Sequence, residues 1–532
     1  MRILARRYDF MNNIPSIFND VIGPIMRGPS SSHTAASWRI ARTCLDILNE
    51  PLKKAFIEFD ADGAWAPNYR EQGTAMGING GLLDIEIADP HLKNTEQIAE
   101  EKRISITYEI NSFPTKHANT VRLSLEGANG KNIQVVAASL GGGSFEIQQI
   151  DNFNVNICGD YFELIIWSKN ISSFLDYLKS ILPPNVILNQ FSNSKGCLIN
   201  IKSSNRIPDK ITNQLKNNSD IDKIITINPV MPVISGNEGE LPFSSIASLL
   251  NFAEKENLDL GELGLIYEQC LCGLSEAELR SKMTSLVEII ENSIRIGLEG
   301  TAYKDRILPQ QSHLIHKAEL KGRILQNKLV NRTVANVSAI MEAKSAMEVI
   351  VANPTAGSCG TVGGVFKAVA EDLNSSKEEL TKAYFAAGIV GAYFAAGSGF
   401  SAEEHGCQVE CGAASGMAAA GIAQLFGGTA KQAISAASMA IQNMIGLVCD
   451  PVADRVEVPC LGKNIIAAMN ALSSATMACS GFDAVIPLDE VIETVSSVSK
   501  QMPTCIKCTG KGGLAITPTS ISLKKIINNL NS

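Results

Sequence analysis

Hydrophobic and polar residues alternate in short runs over the first 150 residues. The runs are KKAFIEFDAD, GLLDIEIADP, RISITYEI, TVRLSLEG and NIQVVAASLGGG. Alternation with a period of two is typical of β-strands that bury one face. Since helical patterns are few in this part, we predict an α+β domain over residues 1–150.

A shorter pattern follows over residues 155–230. FELIIWS, NVILNQF, KGCLINIKSS and IDKIITINPV indicate strands, whereas SSFLDYLKSIL and PDKITNQLKN indicate helices. Their order along the chain is βαββαβ, the arrangement of ferredoxin-like split βαβ folds. This pattern therefore predicts a small second domain of ferredoxin-like topology.

The periodicity becomes helical and alanine-rich after a linker, MPVISGNEGELP, at residues 231–242. Stretches such as EAELRSKMTSLVEIIENSIRIGL place apolar residues three and four positions apart, as in amphipathic helices. NPTAGSCGTVGG is a glycine-containing turn between such stretches. We predict an all-α domain over residues 243–532, so the fold class is multidomain.

Two uncharged runs, at residues 383–402 and 411–430, are long enough to cross a bilayer. They consist mainly of Ala, Gly and Ser rather than Leu, Ile and Val, and small residues let helices approach closely. We expect central helices of a bundle and no membrane as partner. The net charge of −8 gives no electrostatic basis for binding nucleic acid.

The 13 cysteines form no disulfide-rich pattern in a chain of 532 residues. MRILARRYDF has no apolar stretch of the kind found in secretory signals. The expected location is therefore a reducing cytoplasm, where cysteines are packed thiols or metal ligands.

Three cysteines stand within two residues of a glycine or proline, where a thiol can point into a cavity. They are Cys407 in GCQVECG, Cys449 in LVCDP and Cys460 in VEVPC. Their spacing fits neither a zinc knuckle nor a disulfide-rich module. Three interpretations stay open: an iron–sulfur cluster with one iron left open to substrate, a zinc site, or thiols buried for packing.

Five consecutive polar residues precede an amphipathic helix in RGPSSSHTAASWRIARTCLDIL, namely Ser30, Ser31, Ser32, His33 and Thr34. One hydroxyl would suffice to cap the helix. Hydroxyls together with the free amides of a helix N-terminus also form an anion site suited to a carboxylate. Both interpretations stay open.

Taken together, GPSSSHT, GCQVECG with LVCDPVADRVEVPC, NPTAGSCG and GKGGLAITPTS resemble the iron–sulfur-dependent L-serine dehydratases. The resemblance covers essentially the whole chain. It implies a β region, an ACT-like module and an α region fused in one polypeptide, a 4Fe–4S cluster, and deamination of L-serine to pyruvate. It further implies a homodimer and an amino-acid effector bound at the ACT-like module.

The resemblance also implies roles for individual residues. The cluster ligands would be Cys407, Cys449 and Cys460. The catalytic histidines would be His33 and His117, and the substrate-binding residues Ser30, Ser31, Ser32, Thr34, Asn119 and Thr120, the last two in the motif HANT.

One departure concerns QGTA, where the family has HGTD, because Gln72 cannot act as a base. The pair Cys505 and Cys508 is an isolated CxxC without a second pair, and buried or incidental thiols are the favoured interpretation. Two alternatives therefore stay open: a related cluster-dependent lyase for another β-substituted amino acid, such as a cysteine desulfidase, and a non-catalytic amino-acid sensor.

Overall fold

The chain folds into two compact units. The helical unit comprises the described residues of Met1–Ser31 and Gly239–Ser532, and the β unit comprises those of Ser32–Glu238. The computed structural model describes residues 14–168, 172–193, 196–236, 241–303 and 306–530.

The strands of the described residues are β1 (Ile25–Met26), β2 (Leu52–Asp60), β3 (Ser105–Asn111), β4 (Thr120–Gly127), β5 (Asn132–Gly141), β6 (Ser144–Ile150), β7 (Phe153–Ile157), β8 (Phe162–Ser168), β9 (Val186–Asn193), β10 (Gly196–Ser203), β11 (Ile221–Ile227) and β12 (Ile350–Val351). Ten of them, β2 to β11, lie in the β unit.

The α-helices of the described residues are α1 (Ala36–Leu48), α2 (Thr74–Leu82), α3 (Thr95–Glu101), α4 (Ser172–Ile181), α5 (Asp209–Lys216), α6 (Ile246–Glu256), α7 (Leu260–Cys272), α8 (Glu276–Glu299), α9 (Ser312–Leu320), α10 (Lys328–Ser345), α11 (Cys359–Leu373), α12 (Lys377–Ser398), α13 (Ala402–His405), α14 (Cys411–Leu425), α15 (Ala430–Gln442), α16 (Cys460–Cys479), α17 (Leu488–Gln501) and α18 (Pro518–Leu530). Helices α6 to α18 belong to the helical unit.

The β unit contains two sheets. The first has the strand order β3-β2-β4-β5-β6-β7, in which β2 and β3 run parallel and the other neighbours run antiparallel. The second has the order β11-β8-β10-β9 and is antiparallel throughout. Helix α4 joins β8 to β9 and helix α5 joins β10 to β11, so the element order over this part is βαββαβ, as predicted.

The alternation along the strands explains how the β unit builds its cores. Ile165 of β8 and Ile225 of β11 point into a cluster that also contains Phe59 and Phe145 of the first sheet. Their neighbours in sequence, such as Ile166, belong to a second cluster with residues of α4 and α5. The central strands β8 and β10 therefore bury side chains on both faces, whereas the edge strand β9 has no fully buried residue.

One predicted strand is wrong. GLLDIEIADP contains the end of α2 and an irregular turn, although Ile87 is buried and Asp84 and Glu86 are exposed. The amide of Ile85 donates to the carbonyl of Gly80, and its own carbonyl accepts the Trp38 indole N–H at 2.7 Å. Alternating burial arises here without strand pairing, because these bonds occupy the backbone groups that a ladder would need.

The first described residues differ from the predicted domain organisation. Residues up to Ser31 belong to the helical unit, not to a domain over residues 1–150. Strand β1 pairs with β12, and the fully buried Glu268 accepts hydrogen bonds from Ser16 Oγ at 2.5 Å and from the amide of Ile17 at 2.7 Å. The division into three domains stays a prediction.

The helical unit matches the predicted helical pattern, apart from the two residues of β12. Ser245, Asp259, Ser275, Ser376 and Thr429 each form a reciprocal capping box at a helix start. Each such cap is worth about 1 kcal/mol. The local sequence therefore defines where these helices begin.

The two uncharged runs fall mainly in α12 and α14, which pack inside the helical unit. A Cβ atom on Gly421 of α14 would lie 2.0 Å from the Phe366 ring, so only glycine permits this approach. Among the described residues, we find no helix that is both long and apolar enough to cross a membrane.

Candidate active site

Three segments of the helical unit bring cysteines into one buried region. Cys407 begins a short 3₁₀ turn after α13, Cys449 lies in an extended segment, and Cys460 is the first residue of α16. Their side chains are almost fully buried. Backbone hydrogen bonds hold these segments beside their neighbours: Gln408 N donates to Leu447 O at 3.1 Å, and Cys449 N donates to Ile506 O at 2.9 Å.

Cys407, Glu410 and Cys449 offer ligand atoms that all lie within 4.8 Å of one another. The Cys407 thiol lies 3.6 Å from Glu410 Oε2, and Glu410 Oε1 accepts a hydrogen bond from Thr355 Oγ1 at 2.8 Å. Two sulfurs and a carboxylate oxygen in a buried pocket form a donor set that suits iron or zinc. We term this group, with Cys460, the thiol centre.

Cys460 lies outside the 4.8 Å group but in the same electrostatic environment. Burial, and after it the charge of Cys407, raises the pKa of the Cys460 thiol to about 12. Interaction with the Cys449 thiol, followed by burial, raises the pKa of Cys407 well above its usual range. Thiols of this kind stay protonated until a metal ion displaces their protons, so these groups fit a thiolate-bound metal.

Two lysines supply positive charge beside these thiols. Lys463 Nζ donates to Val448 O and to Asp450 Oδ1, both at 2.7 Å. Burial lowers the pKa of Lys463, but Cys407, Asp450 and the other thiols outweigh burial and raise it. Lys344 is fully buried, donates to Val456 O and lowers the pKa of Cys460. Both cations would balance the charge of thiolates.

Asn464 of α16 is the most fully hydrogen-bonded polar group of this region. Its Nδ2 donates to Gly357 O at 2.8 Å and to Cys460 O at 2.9 Å, and its Oδ1 accepts from Thr361 N at 3.1 Å and from Thr361 Oγ1 at 3.0 Å. Asn464 therefore ties the start of α16 to α11 and holds Cys460 in place.

The NPTAGSCG segment runs past Glu410. Besides Thr355, it contains Ala356, whose amide donates to Ser31 Oγ at 3.1 Å, a contact within the helical unit. The side-chain amide of Asn353 is fully buried and has no hydrogen-bond partner among the described residues. Since such a group is costly to leave unpaired, a ligand or water would satisfy it.

His33 of the β unit lies in a second arrangement, in which its ring contacts polar side chains and packs against the Trp65 ring, with 5.9 Å between the ring centroids. Its Nε2 lies 3.2 Å from Asn68 Oδ1, and its Nδ1 lies 3.1 Å from Ser32 Oγ. Because the Asn68 oxygen can only accept, the neutral ring carries its proton on Nε2. The Nδ1 lone pair then faces the hydroxyl of Ser32.

Several other buried side chains of the β unit lack hydrogen-bond partners among the described residues. Thr34 Oγ1 donates to the carbonyl of Gln72, but the Gln72 side-chain amide makes no hydrogen bond to any described residue. The same holds for the side chains of Asn119, Ser139 and Thr74. These groups, with Ser32, His33 and Asn68, are termed the polar pocket.

The HANT motif is linked to this pocket through the backbone. Ala64 N donates to Ala118 O at 2.9 Å, and Ser139 N donates to Asn119 O at 3.1 Å. His117 Nδ1 accepts from Asn119 N at 3.0 Å, and Thr120 Oγ1 donates to His117 O at 2.6 Å. Thr120 is thus engaged with the backbone, whereas the buried Asn119 side chain has no hydrogen-bond partner among the described residues.

Residues Ser31–Ala35 of the serine-rich stretch form a π-helical turn that leads directly into α1, whose N-cap residue Ala35 has no side chain to bond the first amides. Ser31 and Ser32 make the contacts described above, and Ser30 is buried. The prediction that this stretch contacts a substrate carboxylate is not tested by these contacts and stays a prediction.

Sequence patterns alone missed several residues of both groups. Glu410 follows Cys407 by three positions, a spacing that places both on one side of a turn and could have identified it. Asn68, Ser139 and Lys344 carry no local signal, because their roles depend on segments far away in the sequence. Asn464 could have been singled out only as a polar residue in an apolar helix.

A helical unit with a buried thiol centre defines the molecule as a candidate thiolate metalloprotein. Residues 201–515 match the family model described as the serine dehydratase alpha chain. This match covers more than half of the chain, and the protein belongs to this family.

Individual relatives agree with this assignment. The chain is 35% identical over 285 residues to "Probable L-serine dehydratase, alpha chain" of Bacillus subtilis (strain 168), covering 54% of this chain and 95% of that protein. It is 32% identical over 254 residues to "L-serine dehydratase, alpha chain" of Peptoniphilus asaccharolyticus, covering 47% and 86%. It is also 32% identical over 286 residues to "L-serine dehydratase 1" of Escherichia coli (strain K12), covering 52% and 62%.

Proposed function

We propose that this protein is an iron–sulfur-dependent L-serine dehydratase, which converts L-serine to pyruvate and ammonia. The observation that carries the proposal is the buried group of Cys407, Glu410 and Cys449, which lies inside the region matched by the family. Cys407, Cys449 and Cys460 would hold a 4Fe–4S cluster. When bound, the open iron of such a cluster supplies Lewis-acid assistance to the loss of hydroxide from the substrate.

The polar pocket would bind and orient the amino acid. The free amides of Gln72 and Asn119 and the hydroxyl of Ser139 offer donors to a carboxylate and acceptors to an ammonium group. A ligand that made these bonds would remove the cost of leaving them unpaired, about 1–3 kcal/mol for each group. Binding energy of this kind would fix the α-proton in one direction.

His33 would take part in removing the α-proton. The Nδ1 lone pair can accept the proton of Ser32 Oγ while that oxygen, or a water in its place, accepts the proton from the substrate carbon. Asn68 holds the ring in the required tautomer. Gln72 cannot replace a histidine as base, and its amide is assigned to binding instead.

The reaction is balanced without an external oxidant or reductant. The α-proton and the β-hydroxyl leave together as water, which yields aminoacrylate. This enamine tautomerises to an imine, and water hydrolyses the imine to pyruvate and ammonia.

The second sheet of the β unit would serve as an ACT-like module that binds an amino-acid effector. The βαββαβ order and the strand order β11-β8-β10-β9 support this proposal. A cavity beside α5 is lined by side chains of both charges, including Arg206, Asp209 and Lys216, which would suit a zwitterion. Thermal shift measurements across the amino acids would identify the effector, and Arg206→Ala should abolish its effect.

The test of the proposed activity uses protein purified without oxygen. Iron and sulfide contents are measured, and pyruvate formation from L-serine is followed before and after exposure to air. About four irons per chain and activity that air abolishes would support the proposal. A cluster without serine turnover would favour another β-substituted amino acid, identified by following sulfide and 2-oxobutanoate. No iron after anaerobic reconstitution would refute the proposed metal centre.

A further inference from the structure

Lys344 of α10 is a buried cation with few partners. Its side chain is 0% exposed, and its ammonium donates a hydrogen bond to the carbonyl of Val456. It forms no ion pair with any carboxylate of the described residues. An ammonium has three N–H donors, so two of them have no acceptor in the described part of the chain. A buried charge is costly unless an anion compensates it, and Lys344 therefore requires one.

The carboxylates nearest to Lys344 in electrostatic terms are engaged elsewhere. Burial raises the pKa of Glu410 and of Glu457, and the charge of Lys344 is among the influences that oppose this rise. Glu410 accepts from Thr355 Oγ1 at 2.8 Å, and Glu457 accepts from two backbone amides at 2.7 and 2.9 Å. Both groups thus lie within reach of the charge of Lys344, but neither is paired with it.

Asn353 is a second buried polar group of this region. The residue is 0% exposed, and neither atom of its side-chain amide has a hydrogen-bond partner among the described residues. Its backbone carbonyl accepts from Ser358 Oγ at 3.3 Å. Burial raises the pKa of the next thiol, Cys359, and Lys344 opposes this rise. The segment that carries Asn353 therefore runs beside Lys344.

The chemistry of these two groups is complementary to a carboxylate. An ammonium supplies a point charge, and a side-chain amide supplies directed N–H donors to the oxygens. Charge-assisted hydrogen bonds of this kind are roughly twice as strong as neutral ones. The polar pocket of the β unit consists of side chains without a fixed charge, so Lys344 would supply the positive charge that a carboxylate favours.

From these observations we infer that Lys344 and Asn353 form a carboxylate-binding site inside the helical unit, beside the thiol centre. Lys344 would hold the anion by its charge, and Asn353 would orient it. The inference rests on the proposed function, which supplies two carboxylates of the same chemistry. One belongs to the amino-acid substrate and the other to the 2-oxo acid product.

The experiment measures carboxylate binding by the full chain, using isothermal titration calorimetry without oxygen. The probes are L-alanine, which has no leaving group, L-alaninamide, which lacks the carboxylate, and pyruvate. The parent is compared with Lys344→Met, which has a side chain of similar length without charge. Lys367→Met is the matched control, because Lys367 belongs to the same unit but is paired with Glu291 at 2.9 Å. Each protein is titrated both metal-free and after reconstitution with iron and sulfide.

The expected result is that the parent prefers carboxylate to amide and that Lys344→Met loses this preference. Its affinity for the carboxylate should fall by about 10- to 100-fold, whereas its affinity for L-alaninamide should stay the same. Asn353→Ala should lower the affinity by about fivefold, the contribution of a neutral hydrogen bond. Lys367→Met should behave as the parent. A loss for L-alanine would assign the site to the substrate, and a loss confined to pyruvate would assign it to the product.

A purely structural role of Lys344 predicts a different result. If the ammonium served only to bond Val456 or to balance thiolates, Lys344→Met would unfold at lower urea or bind less iron, yet keep the preference for carboxylate. We expect instead that metal-free Lys344→Met is at least as stable as the parent, because it removes an uncompensated buried charge. Its iron content should match the parent, and its KM for L-serine should rise more than its kcat falls.

Two results would overturn the inference: a parent that binds the amide as tightly as the carboxylates, or a Lys344→Met protein that keeps the preference of the parent. If Lys344→Met does not fold, Asn353→Ala and the parent titrations decide the question. A parent that binds carboxylates but holds no iron and does not convert serine would refute the proposed function and leave the site in place.

Discussion

The thiol centre of the helical unit and the polar pocket of the β unit are both buried, but they tolerate the absence of a ligand differently. Protonated thiols pack as small apolar groups, and Cys407 and Cys449 belong to a hydrophobic cluster. The side chains of Gln72 and Asn119 are buried without partners among the described residues, which costs free energy. The thiol centre can thus pack without a metal, whereas the amides of the polar pocket need a polar ligand or water as hydrogen-bond partner.

On the proposed assignment of the two groups, this difference makes metal binding and substrate binding separable events. The helical unit should keep its fold when the metal is removed. The β unit should gain stability whenever a small polar ligand enters. The experiments below test whether the two groups differ in this way, beginning with the largest expected effect.

The largest effect is expected for Cys449→Ser. The variant should lose bound iron, and serine dehydration should fall by roughly 1,000-fold or more, because the Lewis-acid contribution is several kcal/mol. Iron and sulfide analysis with a pyruvate assay checks this. Cys270→Ser, at a half-buried thiol of α7, should keep both properties. An active Cys449→Ser protein without iron would disprove the assignment.

The next effect concerns the histidine of the polar pocket. His33→Asn should lower kcat by about 10²–10⁴-fold, the usual contribution of a positioned base. Iron content should stay the same, since the residue belongs to the other unit. His91→Asn, at an exposed histidine of the β unit, serves as control. A loss of iron in His33→Asn would contradict the proposal that the helical unit alone binds the metal.

Glu163 on β8 is a buried ionisable side chain of the β unit, and its burial also affects stability. Burial outweighs Lys202 and the hydrogen bond from Asn200 and raises the pKa of Glu163 from 4.5 to about 7. The folded state therefore holds this proton more tightly than the unfolded state. The stabilisation is complete below pH 4.5 and is lost as pH rises through about 7.

Metal-free protein should accordingly lose up to about 3 kcal/mol of stability through this group between those pH values. Glu163→Gln should remove that contribution, measured as the difference in free energy of unfolding between parent and variant from pH 4 to 8. Glu96→Gln, at an exposed carboxylate, should leave the pH profile unchanged. A constant difference between parent and Glu163→Gln would contradict the buried titration.

The smallest effects come from a matched pair of amide residues. Asn464→Leu removes a side chain whose hydrogen bonds are all made and should destabilise the protein by about 2 kcal/mol. Gln72→Leu removes an unpaired amide and should stabilise the protein by about 1 kcal/mol while weakening serine binding. Urea unfolding and KM measurements check both. Equal destabilisation by the two substitutions would show that the Gln72 amide is hydrogen-bonded in the folded protein.

The sequence predicted most elements, because periodicity reports burial and burial usually coincides with regular structure. GLLDIEIADP shows the limit: Ile85 and Ile87 alternate with exposed residues, yet the backbone bonds of Ile85 prevent a strand. A capping box involves residues only three positions apart, so the start of a helix such as α12, capped by Ser376, can be recognised from the sequence alone.

The candidate site was predictable only where its residues stand in short motifs. Cys407 and Cys449 were identified in this way, and the structure brings their sulfurs together. Cys508 was interpreted only as a buried or incidental thiol, because nothing within its own segment reveals that Cys449 lies beside it. Contacts between segments far apart in sequence depend on packing, which no local pattern encodes.

The position of the first described residues has a consequence for how such a chain could be divided. The β unit is an insertion between Ser31 and residue 239 of the helical unit. Cutting the gene after residue 238 would therefore leave strand β1 and Ser16 on the polypeptide that carries the β unit. The partners of these residues, β12 and Glu268, would lie on the other polypeptide. The two products should associate through this exchanged segment, so a two-gene version of the protein would reassemble by fragment complementation.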